Sequence, residues 1–200
     1  MKKLLIIAAL LSCCIAAGAQ EKRYEVKSGK VTMEMDMMGQ TMVQDIYFDD
    51  YGAKQVTVSN FGGQKMRMLV KDGSNIMVND ADRTATRMPS MGDNAADRIN
   101  FLNLDEKTVK KNKIKEVGEE TVAGKTCKKY TYKVMMMGQP QTVTAWVYKG
   151  IILKNSMSSD FGEMVQAATK IEENITVDPA MFEIPEGVKV QDMDMSMMGF

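Results

Sequence analysis

Histidine is absent from the 200-residue chain. That removes the commonest metal ligand and the commonest general base together. Cysteine is scarce as well. Cys13 and Cys14 lie in an N-terminal leader, which leaves Cys127 alone and no internal disulfide possible. Without a histidine to activate it, Cys127 reads as a structural or edge cysteine rather than a nucleophile. Net charge is missing: Lys and Arg number 26, Asp and Glu 26. Removing the leader takes Lys2 and Lys3 and leaves 24 basic against 26 acidic residues, a formal charge of −2. A chain so close to neutral lacks the basic patch that nucleic-acid binding requires, and has no polybasic membrane footprint. Aromatics make up 6%, too few for the girdles of an outer-membrane barrel, whose strands also run to about 9–11 residues where several here are shorter. Carboxylate pairs such as Asp49-Asp50 and Glu172-Glu173 fall at turns or strand ends, where solvated charge is the default and no glycosidase dyad follows. Nothing calls for a cofactor, and the expectation is a protein that is not an enzyme.

Long apolar runs are also lacking. The apolar run of residues 4–11 is shorter than the roughly 20 residues a membrane span needs. With Lys2 and Lys3 before it and Ala17-Gly18-Ala19 after it, residues 1–19 read as a secretory signal peptide, with the mature chain starting at Gln20 in the periplasm. Leu10-Leu11-Ser12-Cys13 offers a second route, a lipoprotein box that would anchor the chain by lipid on Cys13.

What the chain has in excess is methionine, 21 residues. The stretch Met33-Glu34-Met35-Asp36-Met37-Met38-Gly39-Gln40-Thr41-Met42 is echoed by Met135-Met136-Met137-Gly138-Gln139-Pro140. Both copies place a methionine-rich strand before a Gly-Gln turn and an apolar-aromatic strand after it. Aligned on Met-Gly-Gln, Phe48 matches Val147 and Tyr47 matches Trp146, a weak repeat long enough for one meander unit. Met33, Met35 and Met37 alternate with Glu34 and Asp36, which gives a strand one apolar and one acidic face.

Strand-like alternation continues along the chain. Strands are expected at 24–38, 41–49, 54–61, 65–71, 75–79 and 83–88, separated by turn chemistry such as Gly62-Gly63 and Asp72-Gly73-Ser74. Met66, Met68 and Val70 share one face, opposite Lys65, Arg67 and Lys71. After Pro89 the pattern changes. Ala95, Ala96, Ile99 and Leu102 recur at helical spacing, and Asp105-Glu106 followed by Lys110-Lys111 suits a second short helix. Lysines 107–115 read as a solvated face. Strands resume at 114–122, 126–137, 141–148, 151–158 and 163–177. Residues 192–200 form a methionine-rich tail expected to fray. The fold class is α+β, mostly β: an antiparallel sheet with one or two short helices near 95–112.

Val177-Asp178-Pro179-Ala180-Met181-Phe182-Glu183-Ile184-Pro185-Glu186-Gly187-Val188-Lys189-Val190 resembles the closing segment of LolA-like periplasmic proteins. Gly118-Glu119-Glu120-Thr121-Val122-Ala123-Gly124-Lys125-Thr126-Cys127 resembles their central hairpin. The likeness covers roughly 105–191, and the N-terminal meander resembles secreted Gram-negative domains associated with that superfamily. It implies one domain over 20–191, an antiparallel half-barrel curled over one or two helices, an apolar cavity able to hold acyl chains, and no catalytic residues. Carriers of this kind begin with a helix over the concave face, whereas here Arg23 runs straight into strand.

The expected ligand face follows from shared strand parity: Met35, Met37, Met66, Met68, Tyr130, Tyr132 and Met157, with Trp146, Tyr47 and Tyr148 on the opposite side. Its expected occupant is a hydrophobic ligand or a lipoprotein acyl chain. Two other readings stand beside it. In one, the methionine face is the closed core of a structural or interaction protein. In the other, soft thioethers hold copper. Against the metal, Met33, Met35 and Met37 spread over more than 10 Å of one strand at roughly 3.4 Å per residue, and would converge on an ion only if a second strand contributed.

Overall fold

The computed structural model describes residues 21–37, 40–61, 63–71, 74–88, 99–136, 139–159 and 162–193. The expected signal peptide, Ala95 and Ala96 of the expected first helix, and most of the expected tail lie outside these residues. Strands β1 (Gly29–Met37), β2 (Gln40–Asp49), β3 (Lys54–Phe61), β4 (Gln64–Lys71), β5 (Ser74–Asn79) and β6 (Thr84–Met88) form a first meander. One helix, α1 (Glu106–Asn112), follows. A second meander comprises β7 (Lys115–Val122), β8 (Lys125–Met136), β9 (Gln139–Tyr148), β10 (Ile151–Ser159) and β11 (Gly162–Glu173), and β12 (Val190–Asp192) closes the order. All twelve belong to one curled, unclosed sheet, ordered β12-β6-β5-β4-β3-β2-β1-β11-β10-β9-β8-β7. The β1–β11 ladder joins the meanders. Every pairing is antiparallel except β12 on β6.

Several expected boundaries move, each for a local reason. Strand β1 starts at Gly29 rather than at residue 24, because the lead-in makes no ladder. Instead the Arg23 and Tyr24 amides donate to Tyr51 O at 3.0 Å, and Glu25 N donates to Lys149 O. Ile99 and Leu102 are not helical: 99–104 is turn and coil that drives Ile99 and Phe101 into the sheet. The α1 expectation holds, with Asp105 capping through a 2.9 Å bond from Thr108 N. Strand β11 ends at Glu173 because Asn174 turns the chain with φ 56°. Asp192 belongs to β12 and pairs with Arg87, and Met193 N donates to Arg87 O at 3.0 Å; the rest of the expected tail lies outside the described residues.

Ladder register divides the sheet's two faces. On one, Ile99, Phe101, Ile114 and part of α1 pack against Tyr130, Tyr132, Val134, Val143, Ala145 and Val147. We call this the helix face. On the other, the segment after β11 lays Val177 and Phe182 over Val56, Val58, Leu69, Ile76, Val78 and Ala85. This is the tail face. A third cluster lies between the meanders. The β10–β11 ladder stops at Lys154–Ala167, and register shifts fall beside it at Ile152/Lys154 and Thr32/Met33. There Val31, Met33 and Phe48 share a core with Cys127, Trp146, Ile151 and Leu153.

Candidate ligand-binding face

The helix face can be followed strand by strand through directly opposed residues. Met157 on β10 opposes Met164 on β11. Gln166, two residues further along β11, opposes Met35 on β1, and Met35 opposes Met42 on β2. Strand β3 contributes Thr57 and Ser59, which oppose Met68 and Met66 on β4. Met68 in turn opposes Met77 on β5, and Met77 opposes Thr86 on β6. Met88 opposes Asn75 at the sheet's end. A methionine strip therefore crosses every one of these strands except β3. Only Met157, at one end, packs against a core cluster. Met35, Met66, Met68, Met77 and Met88 are half-buried, and Met42 and Met164 are 37% and 42% exposed. Among the described residues, no element covers the strip from β11 to β6.

Charge is partitioned by the same parity. From β1 to β6 the helix face carries only Val, Met, Ile, Phe, Gln, Thr, Ser and Asn among the described side chains. The ionisable residues of these strands, including Lys30, Asp45, Lys65, Arg67 and Arg87, stand on the tail face. An uncharged, partly exposed sheet face of this kind favours an apolar or neutral occupant, since a charged group brought onto it would meet no counter-charge.

The expected site residues fall into two environments. The register puts Met35, Met66, Met68, Met157, Tyr130 and Tyr132 on the helix face, and Met37 stands in β1 opposite Gln40. Tyr130 and Tyr132, however, are buried under Phe101, at ring-centroid distances of 5.3 and 5.7 Å. Burial, with Glu116 nearby, pushes the Tyr130 phenol up to about 12. These two tyrosines are core beneath the 99–104 segment, apart from the methionines further along the face. Met42, Met77, Met88 and Met164 complete the strip. Parity alone could have found them, but it needed the ladder register across the turns.

On the tail face of the second meander, Cys127 and Trp146 join the central core, and polar groups ring them. Trp146 Nε1 donates to Glu120 at 2.7 Å, and Lys129 and Lys154 stand over its ring at 4.7 and 4.3 Å. Tyr148 lies between Lys125 and Lys149 in the same manner. Glu173, read from sequence as solvated, accepts from Lys125 at 2.6 Å, from Lys149 at 3.1 Å and from Tyr148 at 3.1 Å. The Lys125 hydrogen bond chiefly holds its carboxyl below the ordinary range. Cys127 is buried and its thiol is pushed up by desolvation, which leaves it protonated and inert. Among the described residues, no group of three or more Cys, Asp or Glu side chains could hold a metal.

No protein-family profile matches the chain, and no curated protein matches it in sequence. Among solved structures, MucB superposes with a TM-score of 0.52 at 14% identity, over 84% of this chain and 60% of that one. An uncharacterised conserved protein from Thermus thermophilus superposes at 0.54 and 7% identity, over 84% and 92%. A Vibrio parahaemolyticus domain described as an outer-membrane lipoprotein-sorting protein gives 0.42 at 11%, over 80% and 91%. The fold is LolA-like. At such identities the likeness concerns the fold alone, and the chain spans about three-fifths of the length of MucB. Residues 21–28 are not helical and lead directly into β1.

Proposed function

We propose that this chain is a non-enzymatic periplasmic protein that binds an apolar or acyl-bearing ligand, a lipid or a lipoprotein's acyl chain, on the methionine strip of the helix face. The carrying observation is a strip of eight methionines without charge, seven of which no element covers among the described residues. Methionine repacks around irregular apolar shapes at low cost, so one strip accommodates acyl chains of different length. Each methylene buried contributes roughly 0.8 kcal/mol, and a chain of about ten methylenes would bind after ordering costs are subtracted. The LolA-like fold and the leader sequence support this reading and its compartment.

The test is displacement of a dye that brightens in apolar pockets. Fatty acid should displace it saturably from the wild type. Met68→Glu and Met77→Asp, confirmed folded by circular dichroism, should weaken displacement about tenfold or more. Trp146, on the tail face under two lysines, should report little of this in its fluorescence. If the wild type shows no saturable displacement, the strip is a docking surface for protein or simply structural, and the interaction reading replaces the carrier.

A further inference from the structure

Thioethers react with peroxides according to how far solvent reaches the sulfur. On the helix face that exposure is graded. Met42 and Met164 are 37% and 42% exposed, Met66 and Met68 are half-buried, and Met33 is 1% exposed in the central core. Cys127 offers no competing sulfur, because it is fully buried and its thiol stays protonated.

The two exposed thioethers stand on either side of β1. Met42 on β2 is directly opposite Met35. Met164 on β11 is two residues from Gln166, which opposes Met35 across the other ladder. Neither packs into a core cluster, so chemistry at these sulfurs changes the face and spares the core. Hydrogen peroxide transfers one oxygen to a thioether. The O–O bond breaks, an S–O bond forms, the sulfur loses two electrons and the second oxygen leaves as water. The product is polar and hydrated. An acyl chain crossing it would strip that water and offer no hydrogen-bond donor in return.

We propose that Met42 and Met164 form a peroxide-modification site that closes the β2–β11 end of the methionine strip to apolar contact. The loss of acyl ligand on oxidation rests on the reading of the strip as a lipid site. The oxidation and the change of face do not.

The test treats the mature, full-length chain with limiting hydrogen peroxide and maps the products by peptide mass spectrometry. On the helix face Met42 and Met164 should oxidise first and Met33 last, with an unchanged circular dichroism spectrum. Fatty-acid displacement of the dye should then weaken about tenfold, as a hydrated group on an apolar contact dictates. A Met42→Leu/Met164→Leu variant is apolar but carries no sulfur there, and should keep its displacement after the same treatment. Met135→Leu removes an exposed methionine opposite Pro140 on the other face, and should respond like the wild type. Retention on a hydrophobic-interaction column reads the face without any ligand. Oxidised wild type should elute earlier than the oxidised double variant, and this difference supports the site even if the wild type never binds fatty acid. Oxidation of Met66 and Met68 ahead of Met42 and Met164 overturns the proposal. So does equal retention of the two oxidised proteins, or an equal loss of displacement in both.

Discussion

Parity puts Arg67 with Lys65 and Lys71, opposite Met66 and Met68, and leaves its burial open. In the fold its side is the buried one, and Arg67 is 6% exposed. Its guanidinium donates to Asp80 at 2.7 and 2.6 Å and to the carbonyls of Met181 and Glu183 at 2.7 and 3.1 Å. It thereby pins the chain after β11 to the tail face. No local pattern announces this, because the partner carbonyls lie 113 to 116 residues away. Arg67→Ala should cost about 2–4 kcal/mol in urea unfolding, leaving those carbonyls and Asp80 unpaired. Asp80 carries the pH dependence of the same contact. The Arg67 hydrogen bonds hold its carboxyl below the usual value. Its stabilisation is therefore complete above the unfolded pKa and is lost as pH falls through the lower folded one. The Asp80 side chain is 42% exposed, so screening keeps the effect to about 1 kcal/mol. Asp80→Asn should flatten that part of the stability profile below about pH 4, and an unchanged acid limb would assign acid sensitivity elsewhere.

At the scale of the element, alternation located the strands and left their ends open. The repeat alignment does not carry over to packing: Phe48 shares the central cluster with Trp146, while Val147 packs under Phe101 and Tyr47 against the cluster over β3–β6. Strand β1 shows how burial changes along one face: Met33 is 1% exposed in the central core, while Met35 is half-buried at the strip. Met33→Asp should therefore cost several kcal/mol by burying an unpaired charge, Met35→Asp clearly less, and Glu34→Lys, on the exposed side, almost nothing. Denaturant midpoints that rank these three differently would mean the strand's faces are misassigned. The closing segment was recognisable from its motif, but its role was not. Asp178 caps the turn Pro179–Phe182, which delivers Phe182 to the cluster over β3–β6. Phe182→Ala should cost about 3–5 kcal/mol.

For the whole molecule, hydrophobic patterning disclosed an antiparallel sheet, and the resemblance of the C-terminal motif implied its curl. Neither could disclose that the 99–104 segment packs on one face of the sheet and the 175–190 segment on the other, with a central cluster between the meanders. That arrangement depends on where the β10–β11 ladder stops and on which side the 99–104 and 175–190 segments fall, and both are long-range matters. The same fact explains the division of the expected site. Tyr130 and Tyr132 sit where the 99–104 segment covers the helix face, and Met35, Met66 and Met68 where no described element does.

The central claim is that the open strip carries an apolar ligand. Native mass spectrometry of the mature chain, secreted into a Gram-negative periplasm and purified without detergent, tests it most directly. The account predicts a population with the added mass of an acyl-bearing molecule, released on denaturation and much reduced in the Met68→Glu variant. A wild-type chain found only at its bare mass, under conditions that retain lipid on a known carrier, would contradict it.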